Sequence, residues 1–574
     1  GGDQTSLTVF EGQVLASNKD GSLRLTSDQS AVARAGQAPV PYVVVKPRDA
    51  VHWALYYPPI VYYRTVDFPD HGKTGWREII RNSIHSYWNG DLVGAFSRIE
   101  NITEKIGDPR FFNYRAALFL TVGRIDEARR DIGKALNLAP DNSQSTALQS
   151  IIALVQNDKE KALNLAMTAY KSDPSSATAL IALSYAQQAG FALDEAFKSL
   201  QEAVKLEPGN ALAWARLSEL WLARGYINKA LKAAKEAVSL NPNLARTQTV
   251  LGFAYLTKIN IRDSKLAFEK AIELDSAAPL ARFGLGLAKI RAGDLKEGRS
   301  EIEVAASLDP NNSLIRSYLG KSYYEEKRDR LSKNQYAIAK ELDPLDPTPW
   351  FYDAIRKQTV NRPVEALHDM EKAIELNDNR AVYRSKLQLD EDLAARSAAH
   401  ARIYKNLGFQ QRALFEGWKS SNADPGSYSA HRFLADSYSA LPRHEIARVS
   451  ELLQSQLLQP INITPVQPLL AESNLFILDG SGPSDLSFNE YNPLFNRNRL
   501  ALQASGIMAE RDTVGDDLVQ SGVLGPFSYS LGQFHYETNG FRGNNDLNKD
   551  IYNIFMQARL SYKTSVQAEY RYTD

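Results

Sequence analysis

Prolines recur at a fixed phase through the middle of this chain of 574 residues. Neighbouring members of the series are 34 residues apart, except for one pair separated by twice that distance. The series is Pro140, Pro174, Pro208, Pro242, Pro310 and Pro344. Because proline lacks a backbone N–H and cannot continue a helix, a proline at fixed phase marks a helix end that is repeated. The spacing therefore predicts a row of similar helical units.

Small residues recur with the same period. A step of 34 residues that starts at Pro109 gives eight consecutive units without an insertion, ending at Arg380. Each unit has an alanine five residues before its closing position, and these are Ala135, Ala169, Ala203, Ala237, Ala271, Ala305, Ala339 and Ala373. Each also has a small residue seven positions earlier, and these are Ala128, Ala162, Ala196, Ala230, Ser264, Gly298, Ser332 and Ala366. Small side chains at these positions let a second helix pack closely against the first.

The unit that begins at Ala211 also carries large residues and a turn glycine, namely Trp214, Leu217, Trp221 and Gly225. Together with the alanines and the closing proline, this pattern resembles the tetratricopeptide repeat (TPR), a helix–turn–helix of 34 residues. Ser276 and Asp378 depart from the pattern because they replace the closing proline. The resemblance implies a mainly α-helical TPR α-solenoid superhelix, and we expect about ten to eleven repeats over residues 75–458.

In this family the first helix of each pair lines the concave face, which commonly holds an extended peptide. The resemblance therefore implies protein or peptide partners on that face. It places contact residues at the second, fifth, ninth and twelfth positions of a unit. They include Thr178, Tyr185, Gln188, Glu219, Arg246, Thr249, Lys321 and Tyr324. The alternative for each of them is a solvated surface position without a partner.

Residues 1–67 follow a different pattern, in which polar and apolar residues alternate between turns that contain glycine. This alternation predicts a small N-terminal β domain of short antiparallel strands. The stretch "YVVVKPRDAVHWALYYPPI", from Tyr42 to Ile60, resembles the end of a FecR-type domain, a small β domain of bacterial envelope and signalling proteins. We therefore interpret residues 1–67 as part of a FecR-like domain.

Polar and aromatic residues crowd the end of this β segment. His52 and Trp53 lie beside Asp49, and the sequence offers no further metal ligands nearby, so a packed domain junction is favoured over a metal or catalytic site. The aromatic residues of this stretch are Trp53, Tyr56, Tyr57, Tyr62 and Tyr63. Two interpretations fit them, a platform for a ligand or a cover for the end of the helical stack.

After a connector at residues 459–497, residues 498–574 alternate polar and apolar side chains over long runs. Four antiparallel strands are predicted, at Arg499–Glu510, Phe527–Thr538, Ile551–Lys563 and Ser565–Tyr572. In the third predicted strand, the side chains on one face are apolar and those on the opposite face are almost wholly polar. The apolar row is Tyr552, Ile554, Met556, Ala558, Leu560 and Tyr562. Such strands, with tyrosines at both ends, are typical of outer-membrane β-barrels.

The alternative for these strands is a soluble antiparallel sheet with one buried face. Four strands cannot close a barrel, and open sheet edges are unfavourable in lipid. We therefore interpret residues 498–574 as the start of an outer-membrane barrel, a partial barrel for which we expect further strands after Asp574.

Composition and motifs disfavour several classes of function. Lys+Arg and Asp+Glu each number 67, which disfavours a nucleic-acid partner. Cysteine is absent, which removes disulfides, thiol nucleophiles and cysteine metal sites. The eight histidines show no ligand spacing, and nucleotide-binding and hydrolase motifs are missing. We predict no enzyme activity, catalytic residue, cofactor or metal site. No apolar run long enough to span a bilayer and no signal peptide is present in the sequence.

Two functions fit these observations. The first is a non-enzymatic scaffold at the bacterial outer membrane, with a periplasmic TPR region that binds protein partners in an export or envelope-assembly system. This order of regions resembles the outer-membrane secretins of exopolysaccharides. The second is a soluble FecR/TPR signalling adaptor in the envelope. A repeat-containing glycosyltransferase is disfavoured because the C-terminal segment lacks alternating strands and helices. The sequence leaves open the cargo, the ligand of the FecR-like domain, the number of barrel strands, the pore size and the oligomeric state.

Overall fold

A computed structural model gives the conformation of most of the chain. It describes residues 4–8, 13–26, 30–34, 36–42, 58–69, 75–89, 91–100, 102, 106–156, 158–379, 389–438, 441–459, 497–560 and 564–574. In these residues, helices occupy the long middle of the chain, with short antiparallel strands before them and longer ones after. This architecture confirms the predicted fold class, a TPR-like α-solenoid with an N-terminal and a C-terminal β region. The exact domain boundaries stay predictions.

The N-terminal region contains five short strands, β1 (Gln4–Thr8), β2 (Gln13–Asn18), β3 (Gly21–Thr26), β4 (Ser30–Arg34) and β5 (Val40–Tyr42). β4 pairs in antiparallel fashion with β1 and β5, and β2 pairs with β3. Asp49, His52, Trp53, Tyr56 and Tyr57 lie outside the described residues. The interpretation of that stretch as a domain junction therefore stays a prediction, as does the FecR resemblance.

The helices follow one another in helix–turn–helix pairs. Those of the first pairs are α1 (Trp76–Trp88), α2 (Leu92–Glu100), α3 (Pro109–Thr121), α4 (Ile125–Leu138), α5 (Ser143–Val155), α6 (Lys159–Ser172), α7 (Ala177–Ala189), α8 (Leu193–Leu206), α9 (Ala211–Ala223), α10 (Ile227–Leu240), α11 (Ala245–Thr257) and α12 (Ile261–Leu274). Then come α13 (Pro279–Ala292), α14 (Leu295–Leu308), α15 (Ser313–Glu325), α16 (Asp329–Leu342), α17 (Pro347–Thr359), α18 (Pro363–Glu375), α19 (Leu389–Asn406), α20 (Gln410–Ala423), α21 (Tyr428–Tyr438) and α22 (Glu445–Leu458). Among the described residues, no helix combines the length and the apolar character needed to cross a bilayer.

From α3 to α17, each first helix begins 34 residues after the previous one because the same local signals recur. At the start of α9, the Asn210 side chain accepts hydrogen bonds from the backbone N–H groups of Leu212 and Ala213, both at 3.1 Å. Such a side chain satisfies N–H groups that have no partner within the helix. Gly225 follows α9 with φ of 77°, a left-handed conformation that glycine adopts without strain and that lets the chain turn into α10.

The two helices of a pair cross where the sequence places its small residues. Ser218 on α9 donates from Oγ to the carbonyl oxygen of Ala230 on α10, over 2.8 Å. At the corresponding positions of α13 and α14, a Cβ atom added to Gly298 would lie 2.5 Å from the Gly286 carbonyl oxygen. Real Cβ atoms do not approach an oxygen that closely, so this crossing requires glycine. The periodic small residues are therefore the positions of closest helix approach.

The C-terminal region is one antiparallel sheet of five strands in the order β10-β9-β8-β7-β6. The strands are β6 (Arg499–Ala509), β7 (Thr513–Leu524), β8 (Phe527–Thr538), β9 (Leu547–Arg559) and β10 (Ser565–Thr573). Neighbours in the sheet are neighbours in the chain, so it is a simple meander. In the described residues β6 and β10 are the edge strands, and they do not pair with each other.

The prediction of four strands is wrong because it omitted β7. This strand contains Asp516 and Asp517 between two glycines, which hides the alternation of apolar residues. In the sheet the glycines lie beneath aromatic rings of β8. A Cβ atom on Gly522 would be 2.8 Å from the Tyr529 ring, and one on Gly515 would be 3.0 Å from Tyr536. Aromatic residues that cover glycines on the next strand are a known means of stabilising a sheet.

By its internal contacts the described chain forms two compact units. The first contains residues Gly1–Leu285 and Glu303–Asn312, and the second contains Gly286–Ile302 and Ser313–Asp574. The N-terminal strands and helices α1 to α12 belong to the first unit. Helices α15 to α22 and the C-terminal sheet belong to the second unit.

Candidate protein-binding surface

The eight predicted contact residues all lie on first helices of their pairs. In the first unit, α7 carries Thr178, Tyr185 and Gln188, α9 carries Glu219, and α11 carries Arg246 and Thr249. In the second unit, α15 carries Lys321 and Tyr324. Their binding role stays a prediction, and the structure gives the surroundings of each.

Four of the six residues in the first unit meet around one arginine that the repeat pattern did not select. We name Tyr185, Gln188, Arg216, Glu219 and Arg246 the arginine cluster. The Arg216 guanidinium lies 3.7 Å from the centroid of the Tyr185 ring. Its nitrogens donate to Glu219 Oε2, over 2.9 Å, and to the Gln188 side-chain oxygen. Arg246 donates to the Tyr185 hydroxyl, over 3.1 Å, and forms an ion pair with Glu219.

The arginine cluster links three successive first helices, α7, α9 and α11. Arg216 is buried, and a guanidinium in that position is stable only when its charge and its donors are satisfied. Glu219 and the Tyr185 ring supply that environment. Burial raises the pKa of the Tyr185 hydroxyl, and the charge of Arg246 opposes this shift. We call the side of the array that the first helices form the inner surface. On this side the cluster contributes two buried arginines and one carboxylate.

The two threonines of the first unit, Thr178 and Thr249, are both buried. The Thr249 hydroxyl donates to the carbonyl oxygen of Ala245 on its own helix, over 2.8 Å.

One sequence signal could have identified the omitted Arg216. It stands three residues before Glu219, and that spacing brings opposite charges together on a helix.

In the second unit, Lys321 is covered rather than presented to solvent, with 1% of its surface exposed. Its ammonium group donates to Glu325 Oε1 over 2.5 Å and lies 5.0 Å from the centroid of the Tyr324 ring. Glu325 Oε2 accepts a second hydrogen bond, over 2.8 Å, from Arg497. Arg497 stands two residues before β6, so the leading end of the C-terminal sheet meets the helices of this unit at the predicted contact residues.

Charge pairing sets the ionisation of this site. Burial by itself would raise the pKa of Glu325, but the positive charges of Lys321 and Arg497 outweigh it and bring the pKa to about 2. Burial lowers the pKa of Lys321, and Glu325 opposes that shift. The carboxylate is therefore charged at any physiological pH and holds the two cations together.

Among the residues that the structure describes, no group of three or more histidine, cysteine, aspartate or glutamate side chains is placed to hold a metal ion. The inner surface offers hydrogen-bond donors, acceptors and aromatic rings. Such groups recognise extended polypeptides by shape and hydrogen bonding.

Comparisons with known proteins agree with the repeat architecture. Residues 251–313, from α11 to the start of α15, match the family model of the tetratricopeptide repeat. These residues therefore belong to TPR-type repeats. No curated protein matches the chain.

Several solved structures of low sequence identity share features of the fold. One is the Cut9–Hcn1 hetero-tetramer of the APC/C, at 14% identity over 68% of this chain and 95% of the other, with a TM-score of 0.42. Yeast Tom70 has 15% identity over 67% of this chain and 92% of its own, with a TM-score of 0.35. TTC0263, a TPR protein of Thermus thermophilus, has 21% identity over 32% of this chain and 99% of its own, with a TM-score of 0.29. At these values the similarities carry no argument about partners.

Proposed function

We propose that this chain is a non-enzymatic scaffold of the bacterial outer membrane. Its TPR helices bind protein partners in the periplasm, and its C-terminal sheet contacts lipid. In this proposal the chain serves an export or envelope-assembly system, and its N-terminal strands are a FecR-like module. The match of residues 251–313 to the tetratricopeptide repeat supports the protein-binding part.

One observation carries the membrane part, the reversed polarity of strand β9. Its polar residues are buried, with 5% of Asn553 and 2% of Gln557 exposed. Its outward face is apolar, with 42% of Ile554 and 54% of Met556 exposed. The inward face also buries two apolar side chains, Ile551 and Phe555. A soluble sheet buries the apolar face instead, whereas a strand of an outer-membrane barrel has an apolar face toward lipid and a polar face inward.

The outward apolar face continues across all five strands. The ladder pairs Leu502 with Gln520, Gln520 with Leu531, Leu531 with Ile554, and Ile554 with Tyr570, so these side chains share one face. Exposed apolar residues on this face are Leu500, Leu502, Met508, Val514, Leu518, Leu524, Phe527, Leu531, Tyr552, Ile554, Met556, Val566, Tyr570 and Tyr572. Gln520 is polar, and its side-chain nitrogen donates to the Tyr529 hydroxyl, over 2.9 Å.

The opposite face is buried and carries both polar and apolar side chains, the apolar ones being Val519, Val523, Phe534, Ile551 and Phe555. Ser521, Ser528, Ser530, Asn553 and Gln557 lie on it. Gln557 accepts a hydrogen bond from Ser528 Oγ over 3.0 Å, and it donates to the backbone oxygen of Gln459 over 3.1 Å. A contiguous exposed apolar surface marks contact with lipid or with another protein. Hydrocarbon cannot satisfy open strand edges, so the proposal also requires that β6 and β10 be paired in the membrane.

The test is flotation of the purified chain with vesicles of outer-membrane phospholipid composition. The chain should float with the vesicles and resist extraction by carbonate. The double variant Leu531→Glu, Ile554→Glu should lose flotation, because two charges on the lipid face cost several kcal/mol. Leu266→Glu, at an exposed apolar position of α12, serves as the matched control and should float like the parent. If carbonate releases the parent chain, the membrane proposal is wrong and the envelope adaptor takes its place.

A further inference from the structure

The segment just before α1 packs against first helices of the first unit. We name residues 58–69 the strap. It begins with "PPIVYY", continues through a single 3-10 turn at Thr65–Asp67, and leads to α1. Ile60, Tyr63 and Phe68 of the strap are buried. A connector that only links two domains would leave these three side chains in solvent. Their burial indicates a specific site on the first helices, which we call the seat.

Tyr63 of the strap contacts helices α3 and α5. Its hydroxyl donates a hydrogen bond to the side-chain oxygen of Gln144, near the start of α5. Its ring centroid lies 6.4 Å from that of Tyr114 on α3. Burial raises the pKa of the Tyr63 hydroxyl, so this group stays a neutral donor at physiological pH. These contacts would be available to any tyrosine presented on an extended backbone.

Tyr62 of the strap contacts helix α1. Its ring stacks on Trp88 of α1, with 5.8 Å between centroids and an interplanar angle of 16°. The cleft that receives this part of the strap is lined by Leu212 and Leu244, at the starts of α9 and α11. Pro59, Val61, Tyr62 and Tyr63 of the strap form another part of the lining. The strap thus contacts first helices from α1 to α11.

The far end of the strap is anchored beside α1 and α3. Phe68 is fully buried, and its backbone oxygen accepts a hydrogen bond from Arg81 over 3.0 Å. The Arg110 guanidinium lies 5.3 Å from the Phe68 ring centroid and also donates to the backbone oxygen of Asp67, over 3.2 Å. The anchor would hold the strap near its seat even when the tyrosines leave it.

We propose that the inner surface from α1 to α11 is a site for an extended segment with two adjacent tyrosines, and that the strap is its built-in occupant. This inference deepens the proposed protein-binding function by naming the chemistry of the partner. One ring stacks on Trp88, and the next side chain donates a hydrogen bond to Gln144. A partner segment of the same chemistry binds after it displaces the strap. Because the strap is tethered, its effective concentration is high and a free competitor binds the parent chain weakly.

The test uses a fluorescent peptide with the sequence of residues 58–68, PPIVYYRTVDF. The variant Tyr62→Ala, Tyr63→Ala empties the seat, and it should bind this peptide at least about tenfold more tightly than the parent does. Adding Gln144→Ala should weaken that binding about tenfold, the effect of losing one buried hydrogen bond. The control Gln411→Ala, at an exposed position of α20, should not change it. A peptide with alanine in place of both tyrosines should not bind either chain.

The inference is overturned if the emptied variant keeps its helical circular dichroism and binds the peptide no better than the parent. If the double variant unfolds, the variant Tyr63→Phe is used in its place. This change removes only the hydroxyl that donates a hydrogen bond to Gln144. A cysteine-free chain also allows a single label at Val66→Cys, an exposed strap position. Excess peptide should change the emission of that label, and an unchanged emission counts against the inference. Vesicle flotation is independent of these results, so the strap and the membrane proposal fail separately.

Discussion

The helical array and the C-terminal sheet differ in the side chains that they expose. In the array, alanines and aromatic rings fill the space between helices, and buried charged residues such as Arg216 and Lys321 are paired. In the sheet, Asn553 and Gln557 are buried, while Ile554 and Met556 face outward. The array follows the rule for a protein in water, and the exposed apolar face of the sheet is the observation on which the membrane proposal depends. The predictions below test each side of this difference, in order of decreasing magnitude.

The largest effect is expected where helices approach most closely. Gly298→Val places a branched side chain 2.5 Å from the Gly286 carbonyl oxygen, so the helix pair must separate. We expect a loss of about 3 kcal/mol in the free energy of unfolding, measured by urea denaturation. The control is Gly133→Ala on α4, where an added Cβ atom meets nothing within 4 Å. It should gain up to about 1 kcal/mol from helix propensity. Equal behaviour of the two variants would refute the close-approach explanation.

The next effect concerns the arginine cluster. Arg216→Ala removes the contacts to Tyr185, Gln188 and Glu219 and leaves Arg246 as the remaining partner of Glu219. We expect a loss of about 2 kcal/mol in the free energy of unfolding, less than for a carboxylate left with no partner. Lys232→Ala, at an exposed position of α10, should change it by less than about 0.5 kcal/mol. If both variants cost the same, the cluster does not stabilise α7, α9 and α11.

A smaller effect separates the two faces of β9. Gln557→Ala removes hydrogen bonds to Ser528 and to the Gln459 backbone at a buried position. Amide hydrogen exchange in β9 should show a loss of about 1–2 kcal/mol in protection. Met556→Ala changes the exposed face and should alter protection by less than about 0.5 kcal/mol in detergent-free buffer. A larger loss for Met556→Ala would mean that the apolar face is the packed one.

The smallest effect is a dependence on pH. The pKa of Glu325 falls from its ordinary 4.5 to about 2 in the folded chain. Its contribution to stability is therefore complete above pH 4.5 and is lost as the pH falls toward 2. We expect a loss of about 1 kcal/mol of stability between pH 5 and about pH 3.5, measured by thermal unfolding. In Glu325→Gln this component should vanish. An unchanged acid response in that variant would show that Lys321 and Arg497 do not act through this carboxylate.

The sequence was most informative where the deciding contacts are local and repeated. Small residues such as Ala230 recur every 34 positions because each helix pair makes the same crossing, so period alone identifies the solenoid. Strand β7 was missed because its glycines are explained only by the rings of Tyr529 and Tyr536, which cover them from the next strand. Arg216 was missed because two of its partners, Tyr185 and Gln188, come from the preceding repeat. The seat of the strap was equally hidden, since Tyr62 and Gln144 lie far apart in the chain.

The most direct measurement of the central claim places one fluorophore at one position of the cysteine-free chain. Met556→Cys carries an environment-sensitive dye on the outward face of β9, and Leu266→Cys carries it on the exposed surface of α12. Vesicles whose acyl chains bear a quencher are then added to each. The account predicts a blue-shifted and strongly quenched emission at position 556 and an unchanged emission at position 266. Equal, unquenched emission at both positions would contradict a lipid-facing sheet.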